Sequence, residues 1–253
     1  MTPGFFSLDG LNALVTGASR GIGAAIATAL AAAGADVACH GNEHPPDETC
    51  ERVRRLGRRG LALRGDLGDR ATPAALIDAA VSGLGGLDLL INNAGLIRRA
   101  PAADTTDEDW DLVVDVNLSS VFRMCRLAGR HMIGRGRGKI VNVASLLSFQ
   151  GGFTVPAYAA SKGGVGQLTK ALANEWAAKG INVNAIAPGY IRTDNTSQLQ
   201  KDATRSRQIL ERIPAGRWGE PEDLGGAAVF LCSRASDFVN GHILVVDGGW
   251  LGR

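Results

Sequence analysis

Short apolar runs of strand length alternate along this chain with longer, helix-like segments. Ala13-Leu14-Val15 precedes a glycine-rich turn and an alanine-rich stretch, and Asp36-Val37-Ala38-Cys39 follows them. Leu61-Ala62-Leu63 leads to Asp66, and residues 87–92 lead to Asn93-Ala94-Gly95. Residues 139–143, 181–186 and 243–246 bring the set to seven. Near-continuous apolar runs suit a sheet buried on both faces, and helical segments between most of them predict parallel strands. Right-handed crossovers then give an α/β fold, a doubly wound three-layer sandwich around a seven-stranded parallel sheet. The 253 residues fit one domain, residues 1–253. Residues 193–212 break the alternation: they are polar and contain no strand-like run. An excursion of that length beside the carboxyl edge of a sheet predicts a lid over a site.

Composition changes this picture little. Hydrophobic residues make up 45% and charged residues 21%, as in ordinary globular enzymes, and a net charge of +2 implies no nucleic-acid partner. The basic run at residues 52–59 is read as a solvated helix face balanced by Asp47, Glu48 and Glu51. Cys39, Cys50, Cys125 and Cys232 form no C-x-x-C pair, and the four histidines include no H-E-x-x-H, so no metal site is expected. Scattered single cysteines suit a reducing compartment. The N-terminal stretch lacks a basic region and is interrupted by Asp9 and Asn12, unlike a signal peptide. The alanine-rich residues 24–33 are too few to span a bilayer, so a cytoplasmic protein without a membrane partner is expected.

The candidate chemistry lies at the predicted strand ends. In Thr16-Gly17-Ala18-Ser19-Arg20-Gly21-Ile22-Gly23, Gly17 can make a tight turn, Gly21 admits close backbone approach to a pyrophosphate, and Gly23 lets a helix pack closely. The N–H groups of that helix N-terminus suit phosphate. The second strand ends at Cys39-His40-Gly41-Asn42 with no carboxylate for ribose hydroxyls, whereas Arg20 could meet a 2′-phosphate, so the residues leave NAD and NADP both open. Asp66 could accept from an adenine amino group with Leu67 packed beside it, and Asn93-Ala94-Gly95 sits at another strand end. Asn117 is a poor helix former inside a predicted helix. The hydroxyl of Ser145, at the end of the fifth strand, could donate to a developing alkoxide. Tyr158 and Lys162 are four apart and therefore share a helix face, which places a cation beside a phenol able to carry a proton.

These motifs occur in the same order as in the short-chain dehydrogenase/reductase family, which the chain resembles over essentially its whole length. The match runs through the glycine-rich turn, Asp66, Asn92-Asn93-Ala94-Gly95, Asn117, Ser145, Tyr158-x-x-x-Lys162 and Pro188-Gly189 to Thr193. The resemblance implies a Rossmann-type fold and a nicotinamide coenzyme. It makes Tyr158 the acid/base, and Ser145 the group that orients the carbonyl or hydroxyl. Lys162 would bind the nicotinamide ribose and lower the tyrosine pKa, and Asn117 would support a water-linked proton relay. Pro188, Gly189, Ile191 and Thr193 would flank the nicotinamide. A narrower likeness lies in residues 93–99, 147–152, 212–219 and 247–251, which are similar to the family members that act on deoxy sugar acids. It implies hydride transfer at a secondary alcohol or ketone of such an acid, usually with NAD(H), and a homotetramer. A carboxylate substrate calls for charged partners, for which Arg98, Arg99, Arg205, Arg207 and Arg217 are candidates, while Gln150, Asn195 and Thr196 could meet hydroxyls. Two other readings are a ketoreductase acting on acyl-carrier-protein or other short-chain substrates, and a non-catalytic dinucleotide sensor on the same fold.

Overall fold

A computed structural model describes residues 4–253; residues 1–3, part of the N-terminal stretch discussed above, lie outside the described residues. The strands are β1 (Asn12–Val15), β2 (Asp36–Gly41), β3 (Gly60–Arg64), β4 (Leu89–Asn92), β5 (Gly138–Val143), β6 (Ile181–Pro188) and β7 (Ile243–Val246). They form one seven-stranded, all-parallel sheet in the order β3-β2-β1-β4-β5-β6-β7. The order reverses between β1 and β4, which opens a crevice at the carboxyl ends of those strands.

Each face of the sheet is covered by its own set of helices. On one face α3 (Thr72–Leu84), α5 (Ser120–Arg135) and α6 (Pro156–Trp176) bury Leu76, Met124, Met132, Val165 and Trp176 against β4, β5 and β6. On the other, α1 (Gly21–Ala32), α2 (Asp47–Arg55) and α9 (Gly225–Cys232) bury Ile26, Leu30, Val53 and Leu231. This double covering explains why the strands read as unbroken apolar runs. The basic run falls on and just after α2, where Arg52 and Arg54 pair with Glu48 and Glu51, and Arg58 and Arg59 pair with Asp36.

Residues 193–212 form a short turn and two helices, α7 (Ser197–Lys201) and α8 (Ala203–Arg212), with no strand. They have a small core of their own, in which Ile209 and Ile213 pack with Leu146, Trp218 and Trp250. Among the described residues no helix is long and apolar enough to cross a membrane.

Candidate active site

Thr16 directly follows β1 and is 1% exposed. Its hydroxyl donates to the Ile91 carbonyl at 3.3 Å and accepts from the Asn93 and Ala94 amides, both at 3.0 Å. The Asn93 side-chain amide donates to the Thr16 and Gly17 carbonyls at 2.9 and 3.0 Å. The turn after β1 is thereby fastened to the loop after β4. Gly17 has a φ of 63°, and a Cβ there would lie 2.8 Å from the Ala94 Cα. A Cβ on Gly23 would run into the Gly17 carbonyl oxygen, so the start of α1 can approach the turn only without a side chain.

The start of α1 above this turn has the features of an anion site. Arg20 precedes α1 in extended conformation, makes no side-chain cap, and no acid lies in the first helical turn, so protein side chains leave the first N–H groups of α1 open. A Cβ on Gly21 would meet nothing nearer than the Thr193 methyl at 3.5 Å. The Arg20 guanidinium forms an ion pair with Asp194 at 2.8 Å, reaching from the turn to the start of the 193–212 segment. The Ser19 hydroxyl donates to the His44 carbonyl at 2.5 Å. His40, which sequence reasoning passed over, lies beside the turn and is 2% exposed. A polar ring inside an apolar strand was the signal that could have found it.

At the next strand ends the placements are mixed. Asp66 is exposed and accepts from the Gly68 amide at 2.8 Å. Leu67 is 4% exposed and packs in the core with Leu76 and Ile77; this corrects the expectation that its side chain lies beside an adenine. Ile22 is half-buried against the opposite core. Pro188 ends β6, and a Cβ on Gly189 would lie 2.6 Å from the Asp247 Cα. Ile191 is 3% exposed and bridges to Gly219, so its side chain belongs to the core. Thr193 caps the turn Asp194–Thr196, where the Thr196 hydroxyl is occupied by the Ile191 and Thr193 carbonyls.

The proton-transfer residues converge between β5 and α6. Pro156 opens α6, where its missing N–H has no consequence. Tyr158 and Lys162 follow on the same face, with the ammonium 5.7 Å from the phenol ring centroid. Ser145, at the end of β5, lies beside the Tyr158 hydroxyl and accepts from the Leu147 amide at 3.1 Å. The Lys162 ammonium donates to the Val143 carbonyl at 2.6 Å. Asn117 is fully buried in a π-helical turn, Asp115–Ser119, between α4 (Asp107–Val114) and α5. Such bulges interrupt helices frequently at functional sites. Here the bulge aims the Asn117 amide at both backbone groups of Leu96, each at 2.9 Å, and at the Ser161 hydroxyl at 3.3 Å. A Cβ on Gly95 would lie 3.1 Å from the Asn117 side-chain oxygen and 3.8 Å from the Lys162 ammonium. The loop after β4 is thus clamped beside Lys162.

Burial dominates the electrostatics. It raises the Tyr158 pKa above the ordinary phenol value, against smaller lowering influences from the Ser145 hydrogen bond and the Arg99 charge. Burial also pushes the Lys162 ammonium down to about 8. The Lys162 ammonium stands over the Tyr158 ring, 5.7 Å from its centroid. It bonds to a backbone carbonyl and is itself desolvated.

Arg99, rather than Arg98, is the arginine whose charge reaches Tyr158. Arg98 turns to Asp109 on α4 at 3.2 Å, and Arg217 forms a two-pronged pair with Asp223 at 2.7 and 2.9 Å. Both guanidiniums have carboxylate partners on the protein itself, as Arg20 does. The Gln150 carbonyl oxygen accepts from the Trp250 indole at 3.4 Å, and Asn195 is exposed in the turn that starts the 193–212 segment.

Comparisons with known proteins place the chain among oxidoreductases of one family. The profile of the family described as Enoyl-(Acyl carrier protein) reductase matches residues 17–251. The chain is 55% identical over 250 residues to a 2-dehydro-3-deoxy-D-gluconate 5-dehydrogenase from Bacillus subtilis (strain 168), covering 98% of this chain and 97% of that one. An Agrobacterium tumefaciens structure with bound NADP, provisionally assigned as a 2-deoxy-D-gluconate 3-dehydrogenase, is 55% identical, covers 100% of both chains and superposes with a TM-score of 0.92. A gluconate 5-dehydrogenase from Burkholderia cenocepacia J2315, in complex with NADP and tartrate, is 42% identical over 98% of both chains with a TM-score of 0.93. Motif order, sheet topology and near-complete coverage by these relatives lead to one conclusion: the chain belongs to the short-chain dehydrogenase/reductase family.

Proposed function

We propose that this chain is an NADP(H)-linked oxidoreductase that interconverts a secondary alcohol and a ketone on a deoxy sugar acid of the 2-dehydro-3-deoxy-D-gluconate type. The observation that carries the reading is the grouping of Ser145, Lys162 and the Arg99 charge around the Tyr158 phenol. A nicotinamide dinucleotide supplies the hydride donor or acceptor when bound. In the oxidising direction Tyr158 takes the hydroxyl proton as the carbon gives up its hydride, and in the reducing direction it returns that proton to the carbonyl oxygen. Ser145 donates a hydrogen bond to the same oxygen, where negative charge develops. Lys162 presents a cation to the coenzyme ribose side of the phenol, and Asn117 holds the loop beside it. Arg99 meets the substrate carboxylate.

The preference for NADP(H) over NAD(H), which the family resemblance alone favoured, is supported by the strand end at Gly41. A Cβ there would collide with the Ser19 hydroxyl and the His44 carbonyl, so the position cannot take an aspartate to hold ribose hydroxyls. Arg20 is the cation in reach of a 2′-phosphate, once it leaves Asp194. The relatives that hold NADP agree. Residues 193–212 act as a substrate lid, supported by their separate small core. A homotetramer, the family's expectation, has exposed Trp110, Leu112 and Phe122 on α4 and α5 for its contacts.

The test follows nicotinamide absorbance with both coenzymes against sugar acids and an acetoacetyl thioester. Turnover of a deoxy-keto sugar acid is expected, together with its abolition in Tyr158→Phe while coenzyme binding stays nearly intact. Near wild-type turnover in that variant, or turnover of the thioester alone, would sink the reading.

A further inference from the structure

His40 stands between the two loops that would hold the adenosine and pyrophosphate of the coenzyme. It occupies the fifth position of β2 and is 2% exposed. Its Nδ1 accepts from the Gly17 amide at 3.3 Å, and its Nε2 lies 3.0 Å from the Gly65 carbonyl oxygen. Its own carbonyl accepts from the Ala18 amide at 2.7 Å. A single tautomer satisfies both ring contacts: Nδ1 must be bare to accept from an N–H, so Nε2 carries the proton that it donates to Gly65.

Both anchored residues border ligand-facing positions of the proposed site. Gly17 opens the glycine-rich turn, and Gly65 immediately precedes Asp66. The imidazole is a rigid ring, so bonding through opposite nitrogens fixes the distance between the turn and the loop after β3. Asn93 grips the turn from the β4 side, while Thr16 and Asn93 hold only its carbonyls and the β4 loop. Among the described residues the hydrogen bond that fixes the Gly17 amide comes from His40. No aliphatic or aromatic hydrocarbon side chain could replace it without leaving a part-buried N–H and C=O unpaired.

We infer that His40 is a positioning residue for the coenzyme: through Gly17 and Gly65 it sets the spacing of the adenosine and pyrophosphate half of the site, for NAD and NADP alike. This rests on the dinucleotide reading above, and concerns ground-state coenzyme affinity rather than chemistry. His40 touches neither Tyr158 nor the carbonyl region, so the effect falls on coenzyme binding and leaves the proton transfer alone.

The test titrates NADP, NAD and ADP into wild-type protein, His40→Leu and His40→Asn by calorimetry, with steady-state kinetics beside it. Asparagine places an amide oxygen near the Nδ1 position, where it can accept from Gly17. His40→Leu is expected to weaken all three ligands about tenfold or more. His40→Asn, which restores the Gly17 contact but leaves the Gly65 carbonyl without its donor, should recover part of that loss. The kcat at saturating coenzyme and the KM for the sugar acid should stay unchanged in both. Amide hydrogen exchange at Gly17 should quicken in His40→Leu and slow again in His40→Asn. Equal affinity in wild type and His40→Leu overturns the inference, as does a loss that His40→Asn fails to recover or one that spreads equally to kcat. If wild-type protein binds neither NADP nor NAD, the dinucleotide reading itself has failed and the inference falls with it.

Discussion

The fold holds a cation at Lys162 where burial disfavours one. Its ammonium is pushed from 10.5 down to about 8, and a displacement of that size corresponds to about 3 kcal/mol against the charged form. Because the folded-state value is depressed, stability is fully present above the unfolded pKa and is lost as pH falls from there through the folded one. At pH 7 the cost is therefore fully in force. Lys162→Met should abolish turnover yet raise Tm at pH 7, with the gain fading as pH approaches 10.5; thermal unfolding across pH checks this, and a lower Tm at pH 7 would refute it. Arg99 and Arg98 offer a matched pair for a second test. Arg99→Gln should raise the KM for a sugar acid roughly tenfold to a hundredfold, as loss of a charge-assisted bond does, and leave a neutral polyol unaffected. Arg98→Gln should do neither, since its partner is Asp109. Comparable shifts in both variants would remove Arg99 from the carboxylate role. Spacing made Tyr158 and Lys162 legible in the sequence, because four residues on a helix always share a face. Which of two adjacent arginines faces the phenol was not legible, because loop geometry decides it.

At the scale of elements, apolar runs located all seven strands to within about two residues at either end. Leu87 and Asp88 fall before β4 because Asp88 is an anchor at the amino edge, accepting from the Asn12 amide at 3.1 Å and pairing with Arg135 and Arg137. The π turn at Asp115–Ser119 left no trace in hydrophobic periodicity, since the clamp of Asn117 on Leu96 comes from 21 residues away. The lid segment shows a similar dependence on distant partners. Arg212, in the last turn of α8, stacks over Trp250 at 4.0 Å, and Tyr190 meets the same indole at 4.7 Å. Trp250→Ala should cost about 3–5 kcal/mol of stability and raise the KM for the sugar acid more than that for the coenzyme. Arg212→Gln removes the stacked cation without opening a core cavity, so it should keep Tm within a few degrees while reproducing the KM split. Kinetics on Arg212→Gln identical to wild type would detach α8 from substrate binding.

Across the whole molecule the sheet order divides the labour. The proposed adenosine and pyrophosphate part of the coenzyme site uses β1 to β4 and the loops that follow them, all within the first hundred residues. The proposed substrate half uses Ser145, Tyr158, the lid and Trp250. Alternating strands and helices foretold a parallel, doubly wound sheet, but the reversal between β1 and β4 depends on which face each crossover helix takes. That choice is made by packing, as when Gly23 lets α1 approach the turn, and local pattern does not carry it. The Trp250 contact has a consequence in the order of synthesis. A ribosome delivers Tyr158 and Lys162 long before the indole that packs with the lid. Until Trp250 emerges, Ile209, Ile213 and Trp218 lack the partner that completes their small core. The small core that seats α8 is thus completed only when nearly the whole chain has been made.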